Sequence, residues 1–295
     1  MAQTFNDIRF DVDGVTITAL TKGRSGDDKP VIAALHGGTY TARYFDVDGS
    51  GHGSFMDVAA DAGYQVISFD RPGYGGSTPL DPPVNTFERH AQLLNDAIGQ
   101  AAGDRPVLLV GHSIGGMIAL MVAGRPNGFR LIGASVTGMG AVIRAGGAAH
   151  ALASLPADAT VDLPYDQRDL VMFGPEGTFS AEGVAQAHGA YAPVPVRELI
   201  AAPQWADDIL PGLAPRIQVP VHNALAEYDA LWDSTPANVA TFAGLLTAAP
   251  FVEASIARSV GHSIDHHILG HALHLRQLAF AQECQLWARR QDQGN

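Results

Sequence analysis

A chain of 295 residues, 46% of them hydrophobic, can bury a sizeable core, and a formal net charge of −12 argues against nucleic acid or an anionic membrane as partner, since both ask for basic patches. No apolar run approaches the roughly 18 residues of a membrane span. The polar start MAQTFNDIRF predicts no secretory leader, and the single Cys284 leaves no internal disulfide and fits a reducing, cytoplasmic compartment.

In chain order, residues 7–21 read as two short strands about the turn signal Asp13-Gly14. Residues 31–35 are an apolar strand running into His36-Gly37-Gly38-Thr39. Residues 55–62 predict a helix closed by Gly63, and 65–69 the next strand. Asp70-Arg71-Pro72-Gly73-Tyr74-Gly75-Gly76-Ser77 is a loop dense in turn residues. Residues 86–102 have helical periodicity and end at Gly103 as a helix does at a capping glycine.

The run 107–110 suits a fully buried parallel strand, 114–123 a helix, and 131–136 a further strand. From 141 to 212 the alternation is lost in an alanine- and proline-rich stretch with scattered aromatics. It returns with a strand at 219–225, a helix at 238–247, a strand at 251–255 and a long helix from 263 to 290, where Cys284 reads as a buried or half-buried structural thiol. Alternating strands and helices predict an α/β fold with a doubly wound, mostly parallel sheet. The expected organisation is one core, 1–140 and 213–295, interrupted by a helical insertion at 141–212.

The stretch Gly111-His112-Ser113-Ile114-Gly115 has the G-x-S-x-G form, with a serine on the tight turn between a buried strand and a helix. Such a hydroxyl is a poor nucleophile unless a base lies within hydrogen-bond reach and a third group orients that base. Two later loops at strand ends can supply them. Asp229 follows the strand at 219–225, with Glu227 and Asp233 as competitors. His262 follows the strand near 251–258, with His266, His267 and His271 close by. The amide of Ile114, with that of Gly38 or Thr39, can bind an oxyanion. His112, inside the turn, reads as packing.

These pieces together resemble the α/β-hydrolase fold family, of the lidded esterase, lactonase and thioesterase type. The matching residues are His36-Gly37-Gly38, Asp70 to Gly75, Gly111 to Gly115, Glu227-x-Asp229 and Gly261-His262. The resemblance implies an eight-stranded, mostly parallel sheet with a helical cap inserted after the sixth strand. It also implies Ser113 as nucleophile, His262 as base and Asp229 as its orienting acid. Relatives that open epoxides or carbon–halogen bonds carry aspartate at this turn, so serine favours acyl chemistry. The loop His36 to Thr39 is neither the HGGG form of some lipases nor the HGGPG form of proline-releasing peptidases.

The expected activity is hydrolysis of a small-molecule carboxylic ester, lactone or thioester through an acyl-enzyme. The alternatives are carbon–carbon bond hydrolysis, acyl transfer, or ligand binding without catalysis. Tyr40, Met139, Trp205 and Trp232 are candidates for lining an acyl pocket. His267 and His271, four apart, would share a face of the predicted last helix, but no carboxylate or cysteine accompanies them at ligand spacing. No metal and no cofactor is expected, and a homo-oligomer is left open.

Overall fold

The computed structural model describes residues 6–24, 26, 29–145 and 156–294. Strands β1 (Asn6–Val12) and β2 (Val15–Lys22) pair antiparallel, with Val12 opposite Val15. Asp13 and Gly14 between them both have positive φ, 53° and 75°, as a two-residue hairpin turn of this hand requires. The sheet continues with β3 (Val31–Leu35), β4 (Gln65–Phe69), β5 (Val107–His112) and β6 (Leu131–Thr137). The short pair β7 (Thr160–Val161) and β8 (Val194–Pro195) forms a separate ribbon, and β9 (Val221–Tyr228) and β10 (Val252–Gly261) complete the main sheet.

Its eight strands run in the order β1-β2-β4-β3-β5-β6-β9-β10, with β1, β2 and β4 paired antiparallel in turn and every later pair parallel. The chain therefore has the alpha/beta hydrolase fold predicted for it. β3 and β5 are buried at every position, which explains their unbroken apolar sequence: a central parallel strand has no wet face. Their side chains alternate between two core layers. Val31, Ala33, Leu35, Val107 and Leu109 face α2 (Phe87–Ala102) and α3 (Ile114–Ala123). Ile32, Ala34, Leu108 and Val110 share the other layer with α1 (Phe55–Asp61).

Between β6 and β9 the described residues also form α4 (Tyr165–Met172), α5 (Ala181–His188), α6 (Val196–Asp208) and α7 (Leu210–Leu213), while 146–155 lie outside the described residues. This stretch is tied to the core by isolated bridges, Tyr40 with Tyr191 and Ile143 with Trp232. α8 (Pro236–Leu245) and α9 (Gly270–Gly294) follow. Among the described residues no helix is long and apolar enough to cross a membrane.

Three boundaries near the strand ends that matter depart from the expected ones. β9 continues through Glu227 and Tyr228, and β10 through Gly261, because the two strands pair beyond their apolar runs, down to Tyr228 opposite Gly261. The last helix starts at Gly270, not at 263. Residues 264–266 are a 3-10 turn whose polar side chains turn inward: His266 Nε2 meets the Tyr44 carbonyl at 3.0 Å, and Tyr44 Oη donates to Asp265 at 2.8 Å. Cys284 on α9 is buried against Gly133, where a Cβ would lie 2.4 Å from its Sγ.

Candidate active site

Ser113 joins β5 to α3 with φ 53° and ψ −122°, a left-handed strained conformation for a residue with a side chain. The flanking glycines explain how the turn fits. A Cβ on Gly111 would stand 2.6 Å from the Gly115 carbonyl oxygen, and one on Gly115 would stand 2.0 Å from that of Leu35. Both positions are therefore closed to any larger residue. The Ser113 side chain makes no capping bond to α3; its Oγ lies 3.1 Å from His262 Nε2.

His262 follows β10 and Asp229 follows β9, neighbours in the sheet, so the two strands deliver both groups to one edge. His262 Nδ1 lies 3.1 and 3.0 Å from the two Asp229 oxygens. Asp229 Oδ1 also accepts from the amides of Leu231 and Trp232, at 2.9 and 3.0 Å. With Nδ1 donating to the carboxylate, Nε2 is left to accept from Ser113 Oγ. Such a chain can draw the proton from the hydroxyl while the buried carboxylate holds the ring and its charge.

Three of the competing groups, Glu227, His266 and His267, are engaged elsewhere. Glu227 Oε2 accepts from the Ser259 amide at 2.8 Å. His267 Nε2 accepts from the amides of Gly261 and Gly174 at 2.8 and 3.0 Å, and its Nδ1 donates to the Ser263 carbonyl. Burial pushes both His266 and His267 down to about 4, so they stay neutral. Since α9 begins at Gly270, His267 and His271 do not share a helical face, contrary to the expectation from their spacing. His112 is packed as expected: its ring stacks on Tyr44 at 4.4 Å, and burial holds it well below the usual histidine range.

The loop at His36 to Thr39 lies against the serine turn. A Cβ on Gly37 would be 3.1 Å from Ser113 Cβ, and one on Gly38 would be 3.0 Å from Ile114 Cδ1. Thr39 has φ 64°, in the left-handed region, and lines the cavity beside Ser113. Ile114 opens α3, where a helix leaves its first amides without an intrahelical partner. The loop is anchored from below by Arg71, which the sequence marked only as part of a turn. Arg71 Nε and Nη2 donate to the carbonyls of His36 and Gly37 at 3.1 and 3.2 Å. Arg71 Nη1 pairs at 2.8 Å with Glu198 of α6, which also accepts from Tyr74 Oη at 3.0 Å. Glu198 carries no signal in the sequence, because its partner lies in a distant loop.

Gly38, Thr39, Ser113, Ile114 and His262 line one cavity, whose remaining walls include residues of α4 and α6. Trp232 lines it. Tyr40, Met139 and Trp205 do not. Tyr40 is buried with its hydroxyl 2.9 Å from Ser263 Oγ, Met139 lies beneath Gly116 and accepts from Asn223 at its carbonyl, and Trp205 is 1% exposed within the core layer of α2 and α3. Of the three aromatic candidates, Tyr40 and Trp205 are thus taken up by packing.

A model described as the alpha/beta hydrolase family matches residues 32–283. Phospholipase YtpA of Bacillus subtilis (strain 168) is 31% identical over 97 residues, 32% of this chain and 34% of that protein, so the match spans about a third of the curated relative's length. Among solved structures, a membrane phospholipase A described as a bacterial virulence factor superposes with a TM-score of 0.67 at 18% identity, covering 95% of this chain and 86% of that one. A variant of the N-acyl homoserine lactonase AidH, complexed with N-hexanoyl homoserine lactone, gives 0.69 at 14% identity, covering 95% and 98%. At these identities the superpositions speak for the fold alone.

Proposed function

The chain belongs to the alpha/beta hydrolase family, and we propose that it is a serine hydrolase cleaving a carboxylic ester, lactone or thioester. Ser113 Oγ attacks the carbonyl carbon while His262 Nε2 takes its proton, and Asp229 holds the imidazole in the productive tautomer and stabilises the imidazolium. The amides of Ile114 and of Gly38 or Thr39 receive the oxyanion. His262 returns the proton to the leaving alcohol or thiol, and an acyl-enzyme remains on Ser113. Water, deprotonated by the same imidazole, then releases the acid. No cofactor enters this scheme.

The observation that carries the reading is the chain of contacts from Ser113 Oγ through His262 to Asp229, 3.1 Å and then 3.0 Å, starting at a serine held at φ 53° beside an apolar cavity. Ligand binding alone would need no imidazole aligned on a strained serine. The names of the similar proteins, a phospholipase and a lactonase, are in keeping with it. We assign residues 141–212 the role of a cap, since α4 and α6 supply cavity walls and their apolar side chains suit a largely apolar acyl or alcohol group. The test is turnover of p-nitrophenyl acetate, butyrate and octanoate by the wild type and by Ser113→Ala, Asp229→Ala and His262→Ala, with fluorophosphonate labelling of Ser113. Turnover lost in all three variants supports the triad. A wild type that neither turns over nor labels removes the hydrolase reading.

A further inference from the structure

Arg71 and Arg168 are both withdrawn from water, 0% and 1% exposed, but they are satisfied very differently. Arg71 uses all three of its nitrogens on protein acceptors and faces a carboxylate, Glu198, that is itself 2% exposed. Arg168, on the first turn of α4, uses one. Its Nη2 reaches Asp162, a carboxylate 72% exposed, and its guanidinium lies 4.9 Å from the Tyr191 ring centroid. Its Nε and Nη1 have no acceptor among the described residues. A buried charged donor left unpaired is more costly than any neutral group in the same place, so such nitrogens point to an acceptor supplied from outside the fold.

The place of Arg168 says what could supply it. Arg168 lines the same cavity as Ser113, His262, Gly38 and Thr39, and apart from these residues and Gln167 the walls are apolar. A group that enters this cavity to meet the serine therefore brings its far end into the neighbourhood of a guanidinium with free donors. Resting on the hydrolase reading, we infer that the substrate carries a carboxylate remote from its scissile carbonyl and that Arg168 receives it. Arg168 is a specificity-determining residue, and the substrate class is a half-ester or half-thioester of a dicarboxylic acid, or an ester of a hydroxy- or mercapto-acid. One negative charge balances one guanidinium already shared with a solvated Asp162; a dianionic phosphate would leave surplus charge in an apolar cavity. The planar guanidinium suits a carboxylate better than an ammonium would.

The test compares each anionic ester with a neutral one of the same shape: mono-p-nitrophenyl adipate against p-nitrophenyl hexanoate, and 4-carboxyphenyl butyrate against 4-carbamoylphenyl butyrate. In at least one pair, Arg168→Met should lower the anionic-to-neutral ratio of kcat/KM by about 10- to 100-fold, and Arg168→Lys should recover part of it. Ratios unchanged in both pairs, in variants that melt cooperatively and label with fluorophosphonate, overturn the inference and leave the hydrolase reading standing. If the wild type neither labels nor turns over, the hydrolase reading falls, and calorimetry with 5-carbamoylpentanoate against hexanamide decides the inference without turnover. Binding of the carboxylate alone, lost in Arg168→Met, supports it; equal or absent binding overturns it.

Discussion

Replacing Glu198 by alanine leaves Arg71 charged and buried with no anion to face it. The two side chains are 0% and 2% exposed and 2.8 Å apart, so the pair has little access to water. Removing one partner of such a pair costs about 3–5 kcal/mol, because the surviving charge keeps its desolvation and loses its compensation. With about 2.1 cal/mol/K of unfolding entropy per residue over 295 residues, that loss lowers Tm by about 5–8 °C. The damage should reach the chemistry, because Arg71 holds the carbonyls of His36 and Gly37 and thereby the loop carrying the Gly38 and Thr39 amides. Scanning calorimetry with p-nitrophenyl butyrate kinetics reads both effects, and kcat should fall more than KM rises. Coupling with Arg71→Met should be strongly non-additive, since the second change removes the orphaned charge. A Glu198→Ala protein that melts with the wild type would refute the reasoning, because relaxation or entering water would then be relieving the buried guanidinium.

Ser113→Ala or His262→Ala should lower kcat/KM for a p-nitrophenyl ester by about 10⁴- to 10⁶-fold, with the double variant no worse than either, since the groups act as a unit. Losses below tenfold would mean another nucleophile. Gly115→Ala drives a methyl to 2.0 Å from the Leu35 carbonyl oxygen, so thermal melting should show several degrees of loss or the protein should not accumulate in soluble form. A wild-type melting curve would mean that β3 yields freely. Stability should also fall with acid. Burial lowers His266 and His267 to about 4 in the folded chain, against 6.5 when unfolded, so below 6.5 the unfolded state binds the extra protons. Tm should decline from pH 6.5 toward 4, and His267→Gln should flatten the decline; a Tm independent of pH there would contradict the buried neutral state.

Where local chemistry decides structure, the chain was legible. Asp13-Gly14 made its hairpin, and the unbroken apolar runs at 31–35 and 107–110 became strands buried on both faces. Gly111 and Gly115 flank a strained serine because neighbouring backbone leaves no room for a Cβ. Legibility failed where a side chain's preferred partner lies far along the chain. The last helix starts at Gly270 and not at 263 because Asp265, His266 and His267 are drawn inward to Tyr44, Ser263 and Gly261. Tyr40 and Trp205 looked like pocket aromatics and were claimed by packing. Arg71–Glu198 and the half-satisfied Arg168 left no trace in composition or spacing, since one is a contact across the fold and the other a missing one.

By itself, then, the sequence determined the class of fold, the order of its elements and the strand-to-helix turn that carries Ser113. Those follow from periodicity, apolar runs and glycines, which act within a few residues of themselves. It could propose several histidines and acids as partners for that serine but could not rank them by contact. Only the tertiary structure decided that His262 lies between Ser113 and Asp229 and contacts both, that Trp232 and Arg168 wall the cavity, and that a glutamate of α6 braces the loop beside it. The physical reason is register. Which side chains meet at the end of a parallel sheet depends on how far each strand pairs beyond its apolar run, and that is settled between strands.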